Sequence, residues 1–166
     1  PGLVCAGRGI IATFALLEDL ELFEEFKPDV VLYDVLGDVV CGGFAAPIRV
    51  GYASKVLIVT SGEKMALYAA NNINNAVKNF EDRSYARVHG IVLNHRNVER
   101  ETEKDLAFAN EAGLPIVGEI ARSDDITWCE DRGQTVVEGR PDSEAARAFM
   151  SLAAQLLELC DDQEEV

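Results

Sequence analysis

Four short runs rich in Val, Ile and Leu punctuate the chain. They are DVVLYD (29–34), KVLIVT (55–60), RVHGIVLN (87–94) and PIVGEI (115–120), and each has the length and composition of a buried parallel strand. Helical patterns lie between and around them. The segment 10–26 precedes the first strand and ends before Lys27-Pro28, and 63–80 separates the second and third strands. The segment 99–113 closes on Gly113 with Pro115 beyond, a regular helix stop, and 143–159 is an amphipathic last helix. Strands alternating with helices over short links predict an α/β fold with a mostly parallel sheet covered on both faces. No internal repeat or linker interrupts the pattern. Residues 1–160 therefore read as a single domain and 161–166 as an acidic tail.

Composition narrows the functions open to such a domain. With 166 residues and 48% hydrophobic content, one core is easily filled. The 15 basic and 29 acidic residues leave a net charge of −14. A surface of that sign disfavours nucleic acid and anionic membrane, which depend on clustered Lys and Arg. No apolar run approaches the roughly 18 residues of a membrane-spanning helix, and the opening PGLVCAGRG lacks the basic region of a signal peptide. Four cysteines in that setting read as thiols or ligands rather than structural disulfides, and the expected compartment is the cytoplasm.

Open parallel sheets bind ligands at the carboxyl ends of their strands. Asp34, Thr60-Ser61 and Asn94 stand at such ends, so one rim of the sheet is the expected site. No glycine-rich phosphate loop accompanies them. GRGIIAT (7–13) lacks the Lys-Ser/Thr ending that a P-loop requires. The expectation is that this is the later part of a longer chain, whose earlier part supplies the first strand, the P-loop and a further helix or two.

Cys5 in CAGRG and Cys41 in VVCGG each precede a glycine-containing turn whose amides can point at a ligand. Two readings stand side by side. The thiols are two small core residues, as free cysteines often are. Alternatively they are half the ligand set of an iron–sulfur cluster, completed by a second subunit across a two-fold axis.

PGLVCAGRGII, VLYDVLGDVVCGGFAAPIR and SGEKMALYAANNI resemble the nitrogenase iron protein family. That family includes relatives serving light-independent protochlorophyllide reduction and coenzyme F430 synthesis. The resemblance runs from Pro1 to about Leu159 and implies a three-layer P-loop NTPase (SIMIBI-type) fold. It implies an ATP-dependent electron donor, a homodimer whose Cys5 and Cys41 ligate one shared [4Fe–4S] cluster, with ATP and Mg²⁺ as further cofactors. A larger, dinitrogenase-like catalytic component would accept the electrons, and reduced ferredoxin or flavodoxin would supply them. Asp34 corresponds to the acid near Mg²⁺ and the γ-phosphate, and Asp38 to the acid that positions or activates attacking water. Seven residues span at most ~25 Å, so 34–41 would connect nucleotide and cluster as one lever, with Gly37, Gly42 and Gly43 permitting its movement. Asn94 matches a residue that recognises adenine, Arg122 and Ser123 fall in the base-covering loop, and Glu130 lies near the ribose. Ala121, Ser123 and Ala145 depart from the family's usual Pro, Asp and Gln. Arg8 and Arg49 match residues of the partner-docking face.

The remaining candidates have blander readings. Cys129 and Cys160 are expected to be structural or incidental. His89 and His95 have no partner at ligand spacing, and Lys64 is a solvated residue opening a helix rather than a phosphate lysine. Two other functions remain to be weighed: a MinD/Mrp-type scaffold or partitioning ATPase, and a non-catalytic partner-binding remnant. The cysteine pair argues against the first, and an upstream P-loop lysine would argue against the second.

Overall fold

The computed structural model describes residues 7–35, 53–79 and 86–161. Three strands, β1 (Lys55–Thr60), β2 (Arg87–Asn94) and β3 (Ile116–Ile120), form a parallel sheet in the order β1-β2-β3. The helices are α1 (Gly7–Asp19), α2 (Leu22–Phe26), α3 (Lys64–Lys78), α4 (Glu101–Ala112), α5 (Asp124–Glu130), α6 (Val136–Gly139) and α7 (Glu144–Asp161). By compactness the chain divides into two units.

The first unit comprises residues 1–56 and 69–88. The single helix expected over 10–26 is divided at Leu20-Glu21, where Glu21 takes a left-handed conformation at φ 50°. Lys27, also left-handed, ends α2 by donating its N–H to the Phe23 carbonyl at 3.0 Å, and Pro28 prevents continuation. The core gathers Ala76 and Val77 of α3 with Ala86, and Val35, Val56, Ile73 and Val88 pack around it.

The strand expected at 29–34 does not form: residues 30–35 run without regular structure. Among the described residues no ladder reaches them, and Leu32 is 80% exposed. Val, Leu and Tyr favour strands because they pack on a pleated surface, so their preference stays unrealised without a neighbouring strand. Side-chain packing holds this segment instead, Val35 against the core of Ala76, Val77 and Ala86. The Tyr33 ring rests 5.4 Å from that of buried Phe14, tilted by 59°, and burial pushes the Tyr33 hydroxyl above its ordinary pKa.

The second unit comprises 57–68 and 89–166. Within it β2 and β3 pair in parallel, Ile91 opposite Ile116 and Asn94 opposite Ile120, with an irregularity between Ile91 and Val92. Ile91 and Leu93 bury against Ala109 of α4, joined by Phe108, Leu114 and Ile116. Gly90 lets β3 approach, because a Cβ there would collide with Val117. The long last helix α7 lies against β3, where a Cβ on Gly118 would stand 2.7 Å from Leu152 Cδ1. Gly113 stops α4 as expected, at φ 69°, with its N–H on the Ala109 and Asn110 carbonyls.

Two helices went unread in the pattern. Ser123 caps α5, its hydroxyl accepting the Asp125 N–H at 3.2 Å. Thr135 and Glu138 form a capping box around α6, a signal legible as T-x-x-E in TVVE. These short helices enclose a small core of Cys129, Val136 and Ala145. Cys129 is fully buried, in keeping with its structural reading, whereas Cys160 is an exposed residue of α7. No helix among the described residues is long and apolar enough to cross a membrane.

Candidate functional site at the strand ends

The carboxyl ends of β1 and β2 open into a cleft of about 250 Å³, lined by Val59, Thr60, Ser61, Glu63, Ala66, Asn94 and Arg96. Pockets that enclose a drug-sized ligand run to roughly 300–1,000 Å³, so these walls suit one part of a larger ligand. Asn94, the last residue of β2, presents an exposed amide there. Thr60 is 5% exposed, and its hydroxyl makes no hydrogen bond within the described residues. A buried hydroxyl is costly unless paired, so Thr60 supplies a polar group for whatever enters. The Ser61 hydroxyl donates to Glu63 Oε2 at 3.3 Å.

One carboxylate fixes the turns that form this rim. Glu101, the first residue of α4, accepts the N–H of Gly62 at 3.3 Å, Arg96 at 2.9 Å and Asn97 at 2.8 Å. It therefore clasps the turn after β1 to the turn after β2. Gly62 is needed for this approach: a Cβ there would lie 2.7 Å from Glu101 Cγ and 3.0 Å from its Cα. The second turn passes through two left-handed residues, Asn97 at φ 61° and Arg100 at φ 55°, of which Asn tolerates that region better. Burial works against the charged carboxylate, but the three amides and His95 outweigh it and hold the Glu101 carboxyl below its ordinary range. No sequence signal marked Glu101, because its donors arrive from two separate loops.

The other expected site residues are distributed as follows. Asp34 is an exposed residue of the first unit. Arg122 is exposed, Ser123 is half-buried in its capping role, and Glu130 is exposed at the end of α5; none of the three lines the cleft. Lys64 opens α3 and is exposed, as expected. Arg8 falls in the first turn of α1. Cys5, Asp38, Cys41 and Arg49 lie outside the described residues. His95, which has no partner at ligand spacing in the sequence, acquires partners through the fold, and the bland reading of it is corrected. Its Nε2 pairs with Glu119 at 3.0 Å, and its Nδ1 faces Glu101 and Asp105.

The parallel sheet, its helices and a cleft at the strand ends make an α/β domain, and solved structures share that fold. The cell-division ATPase MinD of Pyrococcus furiosus superimposes with a TM-score of 0.54 at 24% identity, covering 64% of this chain and 44% of that one. The septum site-determining protein MinD of Pyrococcus horikoshii, complexed with Mg-ADP, gives 0.55 at 21%, covering 69% and 45%.

Sequence comparison is more specific. Residues 1–163 match the family described as "4Fe-4S iron sulfur cluster binding proteins, NifH/frxC family", and the chain belongs to it. It is 49% identical to the nitrogenase iron protein of Methanospirillum hungatei JF-1 over 95% of its own length and 56% of that protein's. The corresponding values for the Methanococcus voltae nitrogenase iron protein are 44%, 95% and 57%. The chain thus spans a little over half the length of these relatives.

Proposed function

We propose that the full-length protein is an ATP-dependent electron-transfer subunit that donates electrons to a nitrogenase or nitrogenase-like reductase. The family match across residues 1–163, which include both Cys5 and Cys41, carries this reading. The donor chemistry fits: two thiols per chain are half of a four-thiolate set, so two subunits would converge on one [4Fe–4S] cluster. When bound, that cluster supplies a centre for one-electron transfer.

The protein's own residues have separate tasks in this scheme. The Asn94 amide and the Thr60 hydroxyl are polar groups suited to the nucleotide at the strand ends. Asp34 would hold the Mg²⁺ side of the phosphates, and Asp38 would orient the attacking water. Both acids precede Cys41 on one stretch of backbone, so losing the phosphate contact at 34–38 would shift the thiolate. Arg122, Ser123 and Glu130 are assigned to the adenosine end, and Arg8 and Arg49 to the face that docks the catalytic partner.

Anaerobic purification of the full-length protein tests the reading. About one four-iron cluster per dimer is expected. Cys5→Ala and Cys41→Ala should abolish it and weaken the dimer, whereas Cys129→Ala and Cys160→Ala should retain it. Full iron content in the Cys41 variant would overturn the assignment.

A further inference from the structure

A second constellation lies beside the cleft, in groups that the nucleotide reading does not use. His95 follows the end of β2, Glu101 and Asp105 stand one turn apart on α4, and Glu119 belongs to β3. His95 Nδ1 lies 3.6 Å from Glu101 Oε2 and 3.8 Å from Asp105 Oδ2. One ligand atom from each of these three residues falls within 4.8 Å of the others. On the far side of the ring, Nε2 meets Glu119 Oε2 at 3.0 Å.

That last contact bears on which ring nitrogen carries the proton. A carboxylate only accepts, so the proton of a neutral imidazole sits on Nε2 and the Nδ1 lone pair faces Glu101 and Asp105. Carboxylates on both sides of the ring call for positive charge there, which a proton on Nδ1 or a metal ion would supply. Asp105 makes the same demand independently. Its side chain is 0% exposed, and neither carboxylate oxygen accepts a hydrogen bond within the described residues. Burial first, then the neighbouring Glu101 carboxylate, pushes its carboxyl above the ordinary range. One proton would serve a single oxygen, whereas a metal ion would be shared by all three residues.

We propose that His95, Glu101 and Asp105 form a site for a first-row divalent cation of the Zn²⁺ class, with Glu119 as the outer carboxylate that fixes the histidine tautomer. Metal-bound histidines commonly donate their other N–H to a carboxylate in this way. One imidazole and two carboxylates favour Zn²⁺ or Co²⁺ over Mg²⁺ and Ca²⁺, which prefer oxygen alone. Tetrahedral donors about 2.0–2.2 Å from zinc stand about 3.4 Å apart. Two edges of the site are therefore within a few tenths of an ångström of bound geometry, and the third is no longer than 4.8 Å. Glu101 already clasps Gly62, Arg96 and Asn97, so an ion here would stiffen the rim that carries Asn94.

Zinc titration of the full-length protein, purified with its iron–sulfur centre in place, tests this. Elemental analysis after equilibrium dialysis counts the ion, and zinc K-edge X-ray absorption reads its ligands. One zinc per chain is expected, with imidazole scattering and a nitrogen–oxygen shell near 2.0–2.2 Å. Sulfur at about 2.3 Å would place the ion on cysteines and overturn the proposal. His95→Gln and Asp105→Asn should each eliminate that zinc, and Glu119→Gln should weaken it by roughly 10–100-fold. If a variant fails to fold, the imidazole signature of the wild-type spectrum still decides. Zinc that does not bind, or that binds equally to both core variants, would also refute the site.

Discussion

Replacing Glu101 with alanine should loosen the whole rim of the cleft, because one carboxylate serves three backbone donors. Hydrogen bonds to a charged acceptor contribute about 1.5–3 kcal/mol each, but the sum overstates the effect. The contacts of Arg96 and Asn97 are only part-buried, so water can replace the lost acceptor for those two amides. The Gly62 bond is buried and long at 3.3 Å, so its orphaned N–H carries the main desolvation penalty, about 1–3 kcal/mol. Against this, truncation removes a buried charge that faces Asp105. The net loss should be about 2–4 kcal/mol. At roughly 2–4 °C per kcal/mol for a chain of this size, Tm should fall by about 5–15 °C. Glu101→Gln keeps one carbonyl oxygen and should lose about half as much. Thermal unfolding in zinc-free buffer measures the total, and amide hydrogen exchange locates it. Exchange at Gly62, Arg96 and Asn97 should accelerate, while the Gly113 stop of α4 should not respond. A Tm shift below about 2 °C, or unchanged exchange at those three amides, would show that the turns are held by something else.

Further outcomes follow from the same geometry. Gly62→Ala should cost about 1–3 kcal/mol by overpacking, since the added methyl would meet both the side chain and backbone of Glu101; wild-type stability would mean the turn yields freely. Gly139→Ala places a methyl 2.7 Å from Cys129 Sγ, so its destabilisation should shrink in the Cys129→Ala background. Strict additivity of the two changes in denaturant unfolding would deny the contact. The Thr135 backbone and side chain hold the Glu138 carboxyl below its ordinary range. A depressed acid stabilises the fold above its unfolded pKa and loses that contribution as pH falls through the folded value. The Thr135 amide resonance should therefore titrate at a pH lower than a free glutamate does, and an unperturbed midpoint would contradict the capping box. In the full-length dimer, Asp34→Glu should alter the response of chelator-accessible iron to MgATP, whereas Asp38→Asn should slow hydrolysis with near-normal binding. Wild-type responses in both would reduce 34–41 to an ordinary turn.

The elements legible in the sequence were those whose stability is decided within reach of their own neighbours. β1 and β2 occupy the ranges that their Val- and Ile-rich runs predict, and Gly113 ends α4 because a left-handed stop is a property of one residue. The segment 29–34 is likewise rich in Val and Leu, yet it is not a strand. Its strand character depends on a ladder that no described residue provides, and composition carries no information about who pairs with whom. The breaks were missed for the opposite reason. α5 and α6 are too short for periodicity to register, and only their caps, Ser123 and the Thr135–Glu138 box, announce them.

The site was legible wherever a residue's position along a strand fixes its place. Thr60, Ser61 and Asn94 end parallel strands, so they arrive at one cleft by topology alone. Glu101 and His95 carry no such mark. Glu101 lies 39 residues from Gly62 and His95 lies 24 from Glu119, separations that no spacing rule connects. Both contacts exist because β2 ends beside β1 and β3, which delivers the turn at 95–97 onto the start of α4. The same topology that collects nucleotide-facing groups on the rim also collects carboxylates beneath it. A buried acid among them is stable only if a positive centre or a donor joins it. Asp105 accepts no hydrogen bond within the described residues and has His95 Nδ1 3.8 Å away, so a cation shared by His95, Glu101 and Asp105 would add the positive centre that this cluster favours.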